Sequence, residues 1–128
     1  MKDKIAAVLE FHKAFGAGIN YEPTADIGEK RNQLRFDLMK EENEEYLEAA
    51  KDGDLVEVAD ALGDMLYILC GTIIEHGMQD KIVEVFNEIQ RSNMSKLGED
   101  GKPIYREDGK VLKGPDYFKP NIKKVLES

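Results

Sequence analysis

The chain has 128 residues, of which 41% are hydrophobic and 34% are charged, and its formal net charge at pH 7 is −8. This length fits a single domain with a core of its own, and the composition is that of an ordinary globular protein. The acidic balance argues against nucleic-acid polymers as ligands, because they require a basic surface and the sequence shows no basic stripe. Small polyanions remain possible ligands if a cation mediates their binding.

Neither the start of the chain nor its most apolar segment has the pattern of a targeting or membrane sequence. Residues 1–15 mix charges with a short apolar run, which does not fit a signal peptide. Residues 55–74 are largely apolar, but Glu57, Asp60 and Asp64 interrupt them, and carboxylates resist insertion into a bilayer. We therefore expect a cytoplasmic protein without a membrane partner. Cys70 lies inside this apolar run and is predicted to be a small buried residue.

Apolar residues at helical spacing predict four helices in chain order. The first ends at the glycines of residues 16–18, and the second runs without Pro or internal Gly until Gly53 ends it. Asp54 is the predicted N-cap of the third helix, because the apolar run behind it is too long for a strand. The predicted helices span residues 3–15, 26–51, 55–75 and 79–96.

The segment after the fourth helix is dense in Gly, Pro and Asp. It contains one hairpin signal, in which Asp108-Gly109 separates PIYRE from KVLKG. The sequence therefore predicts an all-α fold, with a four-helix bundle over residues 3–97 and an irregular tail over residues 98–128 that can form a β-hairpin. All 128 residues are expected to form one domain.

The third helix carries three acids on one side. At 100° per residue, Glu57, Asp60 and Asp64 fall within an arc of about 60°. Apolar residues cover the rest of this helix, so it is predicted to be buried on all sides, and residues 55–74 contain no Lys or Arg. Buried carboxylates must be paired with cations, protonated or bound to metal. A helix that is apolar all round also needs more cover than one small chain supplies, which predicts a homo-oligomer.

The acids of the second helix divide into a solvated set and a set that faces the core. Glu41, Glu42 and Glu45 share their side of the helix with Leu38, whereas Glu44 belongs to the solvated face. The short turn KDGD would make the second and third helices antiparallel and place both acidic sets opposite each other. Converging carboxylates repel unless cations are present, so the pattern predicts a divalent metal site.

Oxygen ligands favour Mg²⁺, with Mn²⁺ as an alternative, over Zn²⁺. A di-iron bundle would need Glu-x-x-His, and neither His12 nor His76 follows a Glu by three residues. On the fourth helix, Asn93 and Lys96 extend the apolar side with an amide and an ammonium that suit phosphate oxygens, although they could equally form an exposed last turn.

These motifs together resemble those of the all-α nucleoside triphosphate pyrophosphohydrolase superfamily, which contains MazG-like proteins, dimeric dUTPases and phosphoribosyl-ATP pyrophosphohydrolases. The resemblance rests on Glu42-x-x-Glu45, on Glu57-x-x-Asp60 with Asp64, and on RSNMSK in the following helix, and it covers residues 5–97. The tail DGKPIYREDGKVLKGPDYF is similar to that of a phosphoribosyl-ATP pyrophosphohydrolase-like, MazG-like branch.

The resemblance implies cleavage of a nucleoside triphosphate between the α- and β-phosphates, to give a monophosphate and pyrophosphate, in a homodimer or homotetramer. It implies Mg²⁺ held by the two acidic helices, with Glu41 or Glu42 as the general base. The expected metal ligands are Glu42, Glu45, Glu57, Asp60 and Asp64. In several branches the second motif aligns with Asp64, which would put its Glu where this chain has Ala61. Either Glu57 and Asp60 form the pair, or Asp60 acts beside Asp64.

The expected substrate-binding residues are Asn93, Lys96 and Lys113 for the phosphates, and His12, Phe15 and Tyr67 as stacking surface for the base. Core packing is the competing role for the last three. Two other functions fit the sequence: a phosphoribosyl-ATP pyrophosphohydrolase, and a non-enzymatic helical oligomerisation module with a structural cation site. The residues fix neither the base and sugar preference nor the number of metal ions.

Overall fold

Five helices and one short β-hairpin form the secondary structure of the computed structural model, which describes all 128 residues. The helices are α1 (Lys2–Phe15), α2 (Glu29–Lys51), α3 (Leu55–Glu75), α4 (Ile82–Met94) and α5 (Ile122–Glu127), and the strands are β1 (Ile104–Tyr105) and β2 (Val111–Leu112). The predicted all-α fold with a hairpin in the tail is thus confirmed. The chain divides into two compact units, residues 1–80 and 81–128. None of the helices combines the length and apolar character that a membrane span requires.

Local hydrogen bonds explain where the helices begin. Asp54 caps α3 as predicted, since its carboxylate accepts a hydrogen bond from the Glu57 N–H at 3.1 Å. α2 begins at Glu29, later than predicted, because the Asp26 carboxylate accepts from the Gly28 N–H at 2.8 Å and holds these residues in a turn. Gly28 has a φ of 93°, which a helix does not allow. α4 is shorter than the predicted 79–96 at both ends.

The core of the first unit lies where α1 and α2 pack against α3. Cys70 is buried there, as predicted, and burial raises the pKa of its thiol. A thiol kept neutral by burial is a poor nucleophile, which supports a packing role. The buried apolar residues are Ile5, Val8, Ala49, Ala61, Cys70, Ile73 and Ile74.

α2 and α3 are antiparallel and meet along positions spaced alternately by four and three residues, as in a coiled coil. Arg31 contacts Glu75 at one end of this row, and Ala49 and Glu57 line one groove at the other end, near the turn. We call this row the α2–α3 seam. Its positions are Arg31, Arg35, Leu38, Glu42, Glu45 and Ala49 on α2, and Glu57, Ala61, Asp64, Ile68, Gly71 and Glu75 on α3. Most of them are charged, where a coiled coil would have apolar residues.

Three charged side chains form a buried ion cluster at one end of the seam. Glu75, only 2% exposed, accepts two hydrogen bonds from the Arg31 guanidinium, at 2.8 Å from Nε and 2.7 Å from Nη2. Arg35 Nη1 lies 3.0 Å from Glu75 Oε2. The other Arg35 nitrogens donate to the Ile68 carbonyl at 2.7 Å and to the Thr72 hydroxyl at 3.0 Å. Both arginines therefore pair with Glu75 and leave the acids near the turn without a cation.

Gly71 provides the space for this cluster. A Cβ atom at this position would lie 2.6 Å from Arg35 Nη2 and 2.8 Å from His12 Nε2. Because real Cβ atoms do not approach other atoms so closely, any other residue at position 71 would displace the Arg35 guanidinium.

The apolar side of α3 is largely uncovered, which differs from the prediction of a helix buried on all sides. Leu55 is 80% exposed, Val56 76% and Leu62 51%, and Leu66 and Leu69 are also exposed. α1 and α2 together cover only part of the helix surface, and the residues beyond their reach face outward.

In the second unit, α4 and α5 pack together and the chain between them forms the hairpin. The buried Ser92 hydroxyl donates to the Phe118 carbonyl at 2.8 Å, and the Asn121 N–H donates to Glu88 Oε2 at 2.6 Å. The strands pair antiparallel, with Ile104 opposite Leu112. Helix α5 lies in the segment predicted to be irregular; its six residues are too few to show a periodic pattern.

Candidate active site

An acidic groove of about 310 Å³ lies between α2 and α3 beside the turn that joins them. It contains three of the predicted metal ligands, Glu45, Glu57 and Asp60, which the antiparallel packing brings together as expected. The turn adds carboxylates that the sequence did not suggest, because their position depends on how the chain reverses direction. The groove is lined by Glu45, Glu48, Ala49, Asp52, Asp54, Glu57, Asp60 and Ala61. No Lys or Arg is among these residues.

The other two predicted ligands, Glu42 and Asp64, lie further along the seam toward the ion cluster. Glu42 Oε2 is buried and has no hydrogen-bond partner. Burial, a side-chain hydrogen bond with Glu45 and the negative charges of Glu45, Asp64 and Glu41 together raise the pKa of Glu42 to about 7. The carboxylates of α2 and α3 therefore repel one another electrostatically across the seam.

The predicted ligands do not already form a coordination site. No three Asp, Glu, His or Cys side chains lie close enough together to hold a metal ion. Binding one ion through three of these carboxylates would require their side chains to rotate. The chemistry of the donors nevertheless fits a hard divalent cation, because they are all carboxylate oxygens and one of them is buried without a partner.

The raised pKa of Glu42 predicts how the stability of the metal-free protein depends on pH. A carboxyl whose pKa is higher in the folded than in the unfolded state destabilises the fold fully above its folded-state pKa, and this cost shrinks as the pH falls from that pKa toward the unfolded-state pKa. In EDTA, the melting temperature should therefore be a few degrees higher at pH 5.5 than at pH 8. Glu42→Gln should raise the melting temperature at pH 8 and remove much of this difference.

Thermal melts monitored by circular dichroism at several pH values will test this, with the exposed Glu44→Gln on the same helix as the matched control. Comparing each variant with the parent removes the contribution of groups that titrate in all three proteins. A Glu42→Gln variant with the pH profile of the parent would contradict the prediction.

The predicted stacking residues fall into two groups. His12 is buried, and its Nδ1 lies 2.8 Å from the Gly18 carbonyl, so it packs in the core. Phe15 is 73% exposed and stacks on Phe11 at 4.4 Å, while Tyr67 meets Phe11 edge-on at 5.7 Å. Phe11 thus joins the two predicted aromatic residues, and its position four residues before Phe15 was the sequence signal for this contact.

The predicted phosphate-binding residues lie in the second unit. Asn93 is exposed near the end of α4, and Lys96 follows that helix and is half-buried. The Lys113 ammonium lies 4.8 Å from the centre of the Tyr117 ring. A Cβ atom at Gly114 would lie 2.7 Å from the Lys96 carbonyl, so the segments that carry the two lysines are neighbours. Their role in phosphate binding stays a prediction.

One family model covers most of this chain, and two further proteins resemble it. The sequence model of the phosphoribosyl-ATP pyrophosphohydrolase family matches residues 8–93. An uncharacterized protein, L479 of Acanthamoeba polyphaga mimivirus, is 40% identical over 68 residues, which cover 51% of this chain and 27% of that protein. The crystal structure of a protein from Exiguobacterium sp. 255-15, proposed to be an NTP pyrophosphohydrolase, is 27% identical with a TM-score of 0.48, over 97% of this chain and 91% of that one.

Proposed function

This chain belongs to the phosphoribosyl-ATP pyrophosphohydrolase family, and on that premise we propose that it is a Mg²⁺-dependent nucleoside triphosphate pyrophosphohydrolase. The reaction would be cleavage between the α- and β-phosphates to give a nucleoside monophosphate and pyrophosphate. The observation that supports it most is the seam itself, in which Glu42 keeps a buried oxygen without a partner while Asp64 lies within electrostatic reach.

In this proposal, Glu42, Glu45, Glu57, Asp60 and Asp64 hold Mg²⁺, or Mn²⁺ in its place. The cation, when bound, would offset the negative charge of the triphosphate and lower the pKa of water. Glu41 or Glu42 would accept the proton of the attacking water. Glu42 lies within electrostatic reach of Asp64 across the seam, whereas Glu41 is exposed and would remain free if Glu42 binds the cation.

Side chains other than the proposed metal ligands would bind the base and the phosphate oxygens of the substrate. Tyr67 follows Asp64 by three residues and so lies on the same side of α3, where it and Phe15 offer an exposed aromatic surface to a base. Asn93, Lys96 and Lys113 would bind phosphate oxygens. A second candidate substrate is phosphoribosyl-ATP, which the description of the matching family favours and which carries the same triphosphate.

We expect pyrophosphate and a nucleoside monophosphate as the products when the protein meets its triphosphate in Mg²⁺, and no reaction in EDTA. The assay should cover the common and the non-canonical nucleoside triphosphates together with phosphoribosyl-ATP, with products separated by anion exchange. Release of orthophosphate with a diphosphate product would overturn the proposed bond cleavage. Absence of any hydrolysis would favour the non-enzymatic oligomerisation module.

We also propose that the protein is a homodimer or homotetramer, because the exposed side of α3 presents Leu55, Val56 and Leu62 to solvent. An apolar surface of this kind is stabilised by burial against a second copy. Light scattering at micromolar concentration should therefore give a mass at least twice the 14.5 kDa of one chain. A stable monomer would show that the exposed side chains have another role. Leu62→Glu should weaken the assembly, and the exposed Lys30→Glu on α2 is the control.

A further inference from the structure

The two ends of the α2–α3 seam differ in how the helices are joined. Every side-chain hydrogen bond and ion pair between α2 and α3 comes from Arg31 or Arg35. Toward the turn, Glu42 and Glu45 face Asp64 and the groove acids without any bond across the seam. The two helices therefore attract each other at the arginine end of the seam and repel each other at the acidic end.

The bonds of the ion cluster depend on the axial position of the two helices. Arg31 binds Glu75 through two parallel hydrogen bonds, a geometry that tolerates little displacement. Arg35 reaches Ile68, Thr72 and Glu75, which span two turns of α3. Sliding α2 by one residue moves it by about 1.5 Å and by one turn by about 5.4 Å, and either shift would break these bonds. Breaking them would leave buried charges unpaired, which is costly.

The acidic end offers little that could fix this position by shape. Its fully buried residues, Ala49 and Ala61, are small, and the larger side chains beside them, such as Tyr46 and Val58, are only half-buried. The carboxylates there repel one another, which favours separation or sliding of the helices. The directional bonds that oppose sliding therefore all lie at the other end of the same two helices.

We propose that the Arg31–Glu75–Arg35 cluster sets the axial register of α2 on α3 and thereby holds Glu42 and Glu45 opposite the acids of α3. Arg31, Arg35 and Glu75 are positioning residues in this scheme, since they act through the carboxylates. The effect on catalysis rests on the proposed function, whereas the register itself does not.

The register can be measured as a distance between two nitroxide labels. Cysteines replace the exposed Gln33 on α2 and the exposed Gly63 on α3, in a Cys70→Ala background. A side chain added at Gly63 meets open space. In the seam register, Gly63 lies opposite residue 43, so the labels are about 15 Å apart along the helix axes and their distance reports sliding. Dilution with unlabelled protein suppresses distances between copies. The measurement uses the full chain in EDTA.

The decisive variant replaces the cluster by apolar side chains, Arg31→Met with Arg35→Met and Glu75→Met. Such replacement can preserve stability, so it separates register from simple stabilisation. We expect retained helix content, a label distance that is displaced or broadened by several Å, and Mn²⁺ affinity that falls by about tenfold or more. Lys30→Met, which removes an exposed cation on the same helix, should leave all three quantities unchanged.

A folded triple variant with the label distance of the parent would overturn the proposal. If the triple variant fails to fold, Arg31→Lys with Arg35→Lys decides, because it keeps both charges but removes the two parallel bonds of Arg31 and cannot reach the three acceptors of Arg35. An unchanged distance and unchanged Mn²⁺ affinity in this variant would then overturn the proposal. A parent protein that hydrolyses no triphosphate would refute the proposed function and leave the distance result valid. A displaced register with full activity would refute the positioning role.

Discussion

Asp64→Asn is expected to abolish pyrophosphate release while leaving the metal-free protein at least as stable as the parent. In the parent, the Asp64 carboxylate raises the pKa of Glu42, so the two charges repel each other when no cation is bound. Removing one charge relieves this repulsion. The same change removes a proposed metal ligand, for which we expect a loss of kcat of about 100-fold or more.

Paired thermal melts in EDTA and in excess Mg²⁺ will check the structural half of this prediction. Mg²⁺ at about 100 times its dissociation constant should stabilise the parent by roughly 2.7 kcal/mol, and Asp64→Asn should lose much of that gain. Asp37→Asn serves as the control, because Asp37 is an exposed acid on α2 that accepts a hydrogen bond from Gln33. An Asp64→Asn protein equally destabilised in both buffers and still active would mean that Asp64 has a structural role.

Glu75→Ala is expected to cost about 3–5 kcal/mol of the free energy of unfolding, because it leaves the buried Arg35 and the adjoining Arg31 without their carboxylate. For a chain of this size the melting temperature should fall by about 10–20 °C. Urea denaturation with and without the substitution will measure the loss. Glu44→Ala removes an exposed carboxylate that pairs with Lys40 and should cost less than about 1 kcal/mol. A comparable loss for both variants would show that burial of Glu75 has no special effect.

Helical spacing was sufficient to predict the parts of the fold whose sequence pattern is local. The periodic apolar residues of α2 and α3 gave both helices, and Asp54 gave the start of α3, because a capping residue acts within three positions of itself. The same spacing correctly predicted that Glu45 meets Glu57 and Asp60, whereas Glu41, which was assigned to the core-facing side, is exposed.

Features that depend on distant pairing could not be predicted in the same way. Glu75 meets Arg31 across 44 residues, and only the register of the packed helices determines that contact. A helical wheel gives the direction of a residue around its own helix but not which residue of another helix it meets. Asp52 joined the acidic groove because the turn directs it there, and α5 was too short to show a period.

The spacing of the seam also determines where this chain can accept an inserted residue. One residue added within α2 between Arg35 and Glu42 would rotate everything after it by about 100° and move the carboxylates off the seam, while the arginines stayed paired with Glu75. One residue added to the exposed turn at 52–54 would only lengthen a loop, which costs little. The interval of seven residues from Arg35 to Glu42 is therefore fixed in length, whereas the turn between the helices is free to vary.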